Sequence, residues 1–270
     1  MVLGLLVSPA ASSVHPGAAV AAAATARSPG KKFAVFVAGY GTDYTERKHG
    51  GYGALLVKLL SDPGETWETF RVVDGIFPSE EQLADYSGVV VSGSAYDAHG
   101  NEAWITQLCG VLCDLHEEKK RILGVCFGHQ VLSRALGGVT GRAPVGWEVG
   151  LKEMYTNDHF QLKRYGRNIP KRLRVLQSHR DQVLELPPGG TLLGSSQNTR
   201  VEMFAVEDHI LGIQGHPEFT KDVLLDIIES RRASQALSIT EANEAKASLE
   251  AAQDEDRQQL SELCKNFLKD

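Results

Sequence analysis

One cysteine lies at the centre of the pattern that could do chemistry in this chain. The segment Gly124-Val125-Cys126-Phe127-Gly128 has the form glycine, any residue, nucleophile, any residue, glycine, which is typical of a sharp turn from a strand into a helix. The flanking glycines remove Cβ clashes at such a turn, and the positive end of the helix favours a thiolate. Cys126 is therefore a candidate nucleophile, although the pattern alone also fits a buried cysteine at a strand end.

A candidate base follows another predicted strand, in Gln214-Gly215-His216-Pro217-Glu218. An imidazole can pair with a thiolate and later protonate a leaving amine, while a carboxylate on its other ring nitrogen fixes the tautomer. We assign these roles to His216 and Glu218. The two residues could also form a surface pair or bind a metal, but no cluster of further ligands accompanies them, so we expect neither a metal nor another cofactor.

Acyl transfer also requires donors for the negative charge that develops on the substrate oxygen. The turn Ser92-Gly93-Ser94 follows a predicted strand, and its small residues leave backbone amides exposed. We assign the amide of Gly93 as one oxyanion donor and that of Phe127, directly after the nucleophile, as the second. The same turn also fits an ordinary connection between a strand and a helix.

Short apolar runs alternate with segments of helical period from Phe33 onward, which is typical of a mainly parallel sheet with helices on both faces. We therefore predict an α/β fold. Parallel strands end at one edge of a sheet, which would place Cys126 beside the Ser92 turn. Strands are predicted at 33–38, 70–73, 88–91 and 122–125, with shorter ones between 147 and 213. Helices are predicted up to about 60, across 104–115, over 129–136 and after a Thr220 cap.

Composition divides the chain into three stretches. Residues 1–31 are rich in Ala, Ser and Pro, lack an acidic residue, and are expected to be a disordered extension or a targeting segment. Residues 32–235 form the predicted catalytic domain, and 236–270 a helical tail that packs on it through Leu260, Leu263, Cys264, Phe267 and Leu268. Because the first basic residue is Arg27, a secretory or plastid signal is weakly supported. We expect a cytosolic protein, or a plastid one if the extension is a transit peptide.

Charge and cysteine content exclude several classes of protein. A net charge of −6 and a pI near 5.9 give no basic surface for nucleic acid. Four cysteines are too few for a disulfide framework in 270 residues. No apolar run is long enough to span a membrane, so neither nucleic acid nor a membrane is an expected partner.

Taken together, segments 124–130 and 216–218 resemble the elbow and His-Pro-Glu motifs of the class I glutamine amidotransferases. Within that family the chain is similar to the plant γ-glutamyl peptidases, and the resemblance runs from Phe33 to the C-terminus. The segments that carry it are 70–75, 91–94, 126–130, 201–204 and 263–269.

The resemblance implies a three-layer, flavodoxin-like fold and a cysteine peptidase whose partner is a small γ-glutamyl peptide. The expected reaction hydrolyses the γ-glutamyl amide of glutathione or its S-conjugates through a γ-glutamyl thioester, which leaves glutamate and a Cys-Gly product. It also implies that the glutamyl head is held by Gln130, Ser178, His179, Arg180 and Asp181. His179 and Asp181 could equally be polar groups satisfied at a strand end.

Two positions depart from the family pattern. Amidotransferases have Gly-Gly-Pro where this chain has Ser92-Gly93-Ser94, and Ala95 follows where the peptidases often have proline. Gly215 stands before His216 where the wider family often has an aromatic residue. We expect the small residue at 215 to widen the site towards a larger leaving group.

Three hypotheses remain open at this point. Only 52 residues follow Glu218, which leaves no attached synthetase module and favours a stand-alone peptidase. The same triad would serve a glutaminase that supplies ammonia to a separate synthetase partner. A binding or regulatory protein without activity is the third, and it is disfavoured because all three triad residues are present.

Overall fold

A computed structural model describes Met1 and residues 30–269 of the chain, so the predicted extension at 1–31 lies almost wholly outside the described residues. The strands are β1 (Lys32–Phe36), β2 (Thr66–Phe70), β3 (Gly88–Val91), β4 (Arg121–Val125), β5 (Val139–Arg142), β6 (Glu148–Thr156), β7 (Arg172–His179), β8 (Asp181–Glu185), β9 (Gly190–Ser195), β10 (Met203–Val206) and β11 (Ile210–Ile213). The helices are α1 (Asp43–His49), α2 (Gly51–Leu60), α3 (Glu80–Asp85), α4 (Ala103–Glu117), α5 (Phe127–Ala135), α6 (Asp158–Leu162), α7 (Lys221–Ala233), α8 (Ile239–Ser248) and α9 (Asp254–Lys269).

The central sheet has nine strands in the order β2-β1-β3-β4-β11-β10-β9-β6-β7. Strands β2, β1, β3, β4 and β11 pair in parallel, and the remaining four continue the sheet in antiparallel pairs. Strands β5 and β8 form a separate antiparallel pair. The predicted α/β class is confirmed. Because β4 lies between β3 and β11, the three chemical motifs leave neighbouring strands at one edge of the sheet.

Apolar layers cover both faces of the parallel strands, as the alternation of side chains along a strand requires. In β1, Phe33 and Val35 face one layer, which includes side chains of α2 and α9. Ala34 and Phe36 face the opposite layer, which includes side chains of α4 and α5. The strands that hold the site are thus fixed from both sides.

The second predicted strand is wrong in position. The pattern favoured 70–73, whereas β2 ends at Phe70 and Val72–Asp74 forms a 3-10 turn. Strand β2 lies at the edge of the sheet and carries polar and half-buried residues, so its apolar signal is weak. Val72 and Val73 are buried in the turn itself, which explains why an apolar pattern there was misleading.

One helix start and one helix cap also differ from prediction. Helix α5 begins at Phe127, two residues before the expected start, because the chain turns at Cys126 alone. Thr220 occupies the N-cap position of α7, as expected, but its side chain makes no capping bond to a backbone amide. Its hydroxyl hydrogen-bonds to Asp222 at 2.5 Å.

Helix α9 packs on the sheet through one apolar face. Its buried residues are the five that the pattern predicted: Leu260, Leu263, Cys264, Phe267 and Leu268. The Ser261 hydroxyl donates to the carbonyl of Leu59 at 3.1 Å, which ties α9 to the end of α2. The domain limits at 31, 235 and 270 stay predictions. None of the helices in the described part of the chain has the length and apolarity to cross a bilayer.

Candidate active site

Cys126 stands alone between β4 and α5. Its backbone has φ 53° and ψ −103°, a conformation that non-glycine residues rarely adopt and that is common at functional turns. The strain is maintained from both sides, because the amide of Cys126 donates to Ile213 at 2.9 Å and its carbonyl accepts from Gln130 at 3.1 Å. The side chain is 5% exposed and lies at the N-terminus of α5, where the helix dipole favours an anion.

Close packing explains the two glycines that flank the cysteine. A Cβ at Gly124 would lie 2.5 Å from the carbonyl carbon of Gly128, and a Cβ at Gly128 would lie 2.3 Å from the carbonyl oxygen of Val91. No side chain fits at either position without moving the backbone. The elbow therefore needs glycine for space, and the unusual φ angle is at the cysteine itself.

His216 and Glu218 form a buried pair on the loop after β11. Nδ1 of His216 lies 2.8 Å from Oε1 of Glu218, and the two side chains are 5% and 1% exposed. The ring stacks on Phe219 with centroids 3.8 Å apart and planes at 4°, and the His216 amide donates to Leu176 at 2.8 Å. With Nδ1 used by the carboxylate, Nε2 is the nitrogen left for the thiol.

The charge of this pair depends on Cys126. Burial alone lowers the pKa of His216, but the negative charges of Cys126 and Glu218, with hydrogen bonds to both, outweigh burial and raise it to about 10. The raised pKa favours the imidazolium form of His216. That is the charge state that stabilises a neighbouring thiolate and can protonate a leaving amine.

Gly93 lies against His216 and Cys126. A Cβ added there would lie 2.8 Å from Cε1 of His216 and 3.7 Å from Cβ of Cys126. Neither its amide nor that of Phe127 donates a hydrogen bond to another group within residues 30–269, so both are available to an oxyanion. This placement agrees with the oxyanion assignment, which stays a prediction.

Ser92 fixes the loop that carries Gly93. Its buried hydroxyl accepts from the amide of Ala38 and donates to the carbonyl of Gly93, both at 2.9 Å. These two bonds tie the loop to the end of β1. A serine side chain thus holds the Ser92-Gly93-Ser94 turn against the end of β1.

A cavity of about 470 Å³ opens beside Cys126. The five predicted substrate-binding residues all line it: Gln130, Ser178, His179, Arg180 and Asp181. Gln130 uses its amide nitrogen within the protein, because Nε2 donates to the carbonyl of Asp181 at 2.7 Å and to Oε1 of Gln214 at 3.1 Å. It therefore positions the turn between β7 and β8 and has only its own carbonyl oxygen to offer a ligand.

His179 is neutral in this wall. Burial, together with the charge of His216, lowers its pKa to about 3. Its Nδ1 lies 3.0 Å from the carbonyl oxygen of Asp181, and Nε2 lies 3.8 Å from Oε2 of Glu148. The side chain shapes the turn, and the alternative interpretation as a strand-end polar group fits this geometry.

A cluster of Asp97, His99 and Asp181 at the cavity wall has side-chain atoms close enough to bind a cation. Arg142 already forms ion pairs with both carboxylates. A metal ion would have to displace that guanidinium. The cluster therefore fits an ion-pair network better than a metal centre.

The sequence interpretation missed Arg231 and Trp147. Both line the cavity, and the guanidinium of Arg231 lies 3.9 Å from the centre of the Trp147 ring. A signal was available, because position 231 continues the apolar stripe of α7 that contains Leu224, Ile227 and Ile228. A charged residue on the apolar face of a helix indicates a buried interaction or a binding site.

The expectation that Gly215 widens the site is wrong. A Cβ at that position would lie 2.4 and 2.9 Å from the two γ-carbons of Val175, which belongs to the core beneath the sheet. The space that a larger residue would occupy is filled by β7. The size of the cavity therefore depends on other residues.

Comparison with known proteins agrees with this architecture. Residues 54–225 match the model of the class-I glutamine amidotransferase family. Gamma-glutamyl peptidase 5 of Arabidopsis thaliana is 43% identical over 241 residues, which cover 88% of this chain and 96% of that protein. Gamma-glutamyl peptidase 3 of the same plant is 42% identical over 242 residues, which cover 88% of this chain and 97% of that protein.

Among solved structures, a glutamine amidotransferase from Thermotoga maritima superposes with a TM-score of 0.73 at 19% identity, covering 90% of this chain and 100% of that one. At that identity the likeness concerns the fold, and it confirms the three-layer prediction. The matched domain, the two relatives and the fold lead to one assignment: the chain belongs to the class-I glutamine amidotransferase family.

Proposed function

We propose that this protein is a hydrolase of γ-glutamyl amide bonds and that its substrates are glutathione and glutathione S-conjugates. The observation that carries the proposal is the buried His216–Glu218 pair, which lies with Cys126 against Gly93 beside a cavity of about 470 Å³. Four relatives that are 40–43% identical over 88% of the chain are named γ-glutamyl peptidases, which supports the substrate class.

The geometry supports a two-step acyl transfer. The Cys126 thiolate attacks the γ-carbonyl carbon, and the amides of Gly93 and Phe127 donate to the oxyanion. The tetrahedral intermediate collapses when the carbon–nitrogen bond breaks, and the His216 imidazolium gives its proton to the leaving amine. A γ-glutamyl thioester and a neutral imidazole result.

Water completes the cycle. The neutral His216 takes a proton from a water molecule, which attacks the thioester carbonyl at the same oxyanion site. Breakage of the carbon–sulfur bond releases glutamate and restores the thiolate–imidazolium pair. Glu218 holds the ring through Nδ1 in both steps and transfers no proton.

The cavity supports a peptide-sized leaving group. Its volume of about 470 Å³ falls in the range usual for small-molecule sites. Beyond the nucleophile it is bounded by Tyr40, Gly41, Thr42, Tyr96 and Asp97, which come from the loops after β1 and β3. This open side, and not the small residue at 215, provides room for a Cys-Gly product.

A release assay tests the proposal. The purified protein is incubated with glutathione, a glutathione S-conjugate or glutamine, and free glutamate is measured. We expect glutamate from the two peptides, none from Cys126→Ala, and ordinary rates from Cys109→Ala, which removes a half-buried thiol outside the site. Mass spectrometry of quenched reactions should find one glutamyl group on Cys126. Release from glutamine alone would favour the glutaminase alternative.

A further inference from the structure

Two guanidinium groups lie close to one tryptophan ring in the wall of the cavity. Arg231 of α7 lies 3.9 Å from the centre of the Trp147 ring, and Arg180 of the β7–β8 turn lies 5.5 Å from it. All three residues line the cavity that contains Cys126. A cation close to an indole face is stabilised by the ring, which holds both groups in position.

This wall carries positive charge without a carboxylate partner. Within residues 30–269, neither Arg180 nor Arg231 has an Asp or Glu oxygen within 4.0 Å, whereas Arg142 across the cavity pairs with both Asp97 and Asp181. The one hydrogen bond of the Arg231 guanidinium in that range goes from Nη2 to the carbonyl of Ser178 at 3.4 Å, and Nη1 is buried without a partner. A sequestered charge of this kind is costly unless an anion joins it.

Burial lowers the pKa of Arg231 to about 10, so the side chain is still charged at neutral pH. Arg231 and Cys126 line the same cavity. An anion that enters the cavity would therefore meet an uncompensated cation close to the reacting sulfur.

The position of Arg231 selects between the anionic groups of a γ-glutamyl peptide. Its bond to Ser178 places it at the 178–181 turn, together with Gln130, on the side of the cavity assigned to the glutamyl head. The α-carboxylate of that head is separated from the reacting carbonyl by three carbons, so it must lie close to the nucleophile. The carboxylate at the other end of glutathione belongs to the leaving group and extends away from this wall.

We propose that Arg231, with Arg180 near the same Trp147 ring, receives the α-carboxylate of the glutamyl head. The enzyme then selects donors whose γ-linked glutamyl unit has a free α-carboxylate. This inference rests on the proposed γ-glutamyl hydrolase function, and it adds a specificity-determining residue that lies outside the triad and the elbow.

A comparison of three substrates distinguishes the contributions of the two carboxylates of glutathione. The substrates are glutathione, glutathione amidated at its glycine carboxylate, and the same tripeptide amidated at the glutamyl α-carboxylate. We expect the wild type to keep most of its kcat/KM on the glycine amide and to lose on the order of 100-fold on the α-amide, as for loss of a partner in a sequestered charge pair.

Substitution of the arginine should reproduce this selectivity. Arg231→Gln should lose on the order of 100-fold on glutathione and on the glycine amide, and little on the α-amide. Arg231→Lys should recover part of the loss because it keeps the charge. Arg232→Gln is the matched control, since it removes the same charge from an exposed neighbour that pairs with Glu229. Equal losses on all three donors, or a loss that disappears on the glycine amide, would overturn the assignment.

A binding measurement tests the carboxylate subsite independently of hydrolysis. Calorimetry with the Cys126→Ala protein should detect L-glutamate but not its α-amide, and the added Arg231→Gln change should weaken glutamate binding at least tenfold. If the protein hydrolyses none of the donors but still binds glutamate in preference to its α-amide, the proposed function is refuted and the carboxylate subsite is retained. Equal binding of glutamate and its α-amide would refute the subsite.

Discussion

The pKa of His216 is raised although burial alone would lower it, because Cys126 and Glu218 lie beside the ring. Glu218 holds Nδ1 at 2.8 Å, and Cys126 contributes both charge and hydrogen bonding. The imidazolium is thus a property of three residues together. Removing one of them should change the others measurably.

The first prediction concerns the charge of this ring. Cys126→Ala removes the thiolate that helps to raise the pKa of His216 to about 10, so the ring should titrate at a clearly lower pH. The measurement is the pH dependence of the His216 ring carbon resonance in ¹³C-labelled protein. An unchanged midpoint would show that Glu218 alone sets the charge state.

A second prediction concerns the space at Gly93. In Gly93→Ala the new methyl would press on Cε1 of His216 at 2.8 Å, so kcat should fall at least tenfold while the protein stays folded. Gly110→Ala is the matched control, because a Cβ there meets nothing within 4 Å and the residue lies inside α4. The control should keep full activity and gain about 0.5–1 kcal/mol of stability. Equal activity of the two variants would contradict the contact.

At the scale of elements, β3, β4 and β11 bring together residues that are distant in sequence. Their parallel pairing aligns Val91 with Gly124, and Val125 with Ile213, so the loop with Gly93, Cys126 and the loop to His216 leave the sheet at one level. Helices pack on both faces of these strands. The stability of the site should therefore depend on packing far from the chemistry.

Helix α9 provides a test of that dependence. Phe267 is fully buried and its ring meets Tyr165 edge-on with centroids 5.3 Å apart. Its carbonyl oxygen accepts a hydrogen bond from the Arg121 guanidinium at 2.7 Å. Phe267→Ala should lower the free energy of unfolding by about 3–5 kcal/mol in urea titrations. Leu162→Ala, at a site that is 80% exposed, should change it by less than about 0.5 kcal/mol. Similar losses for both would show that α9 is not part of the core.

At the scale of the molecule, buried titratable groups make stability depend on pH. Burial lowers the pKa values of His129 and His179 to about 3, so their contribution is lost as pH falls below 6.5. Burial beside Glu148 raises the pKa of Glu202 to about 7, so the folded state becomes less stable as pH rises from 4.5 through 7. The raised pKa of His216 adds stability that is lost between 6.5 and about 10.

Together, the pH dependences of these four groups predict that the free energy of unfolding is greatest near pH 6.5. Glu202→Gln should remove the loss of stability that comes from ionisation of its carboxylate, so the unfolding free energy of the variant should rise relative to that of the wild type as the pH increases from 5 to 8. Glu255→Gln, an exposed control, should leave the curve unchanged. Urea unfolding at several pH values gives the measurement. Parallel curves for wild type and Glu202→Gln would show that this carboxyl group has an ordinary pKa.

Much of the elbow could be predicted because its constraints are local. Two glycines around a cysteine, after an apolar run, already indicate a strand, a tight turn and a helix. Strand β2 could not be located in the same way, since an edge strand buries few side chains while Val72 and Val73 are buried in a turn. Periodicity reports burial, and burial does not by itself identify the secondary structure.

The sequence by itself predicted the candidate reacting groups and determined the α/β class and the order of the motifs, because these depend on residue type, spacing and short-range backbone geometry. Only the tertiary structure decided what surrounds them. Packing of β7 fills the space beside Gly215, and packing of α7 brings Arg231 to Trp147 and Arg180. Contacts between distant segments are set by how the layers stack, and no local pattern records them.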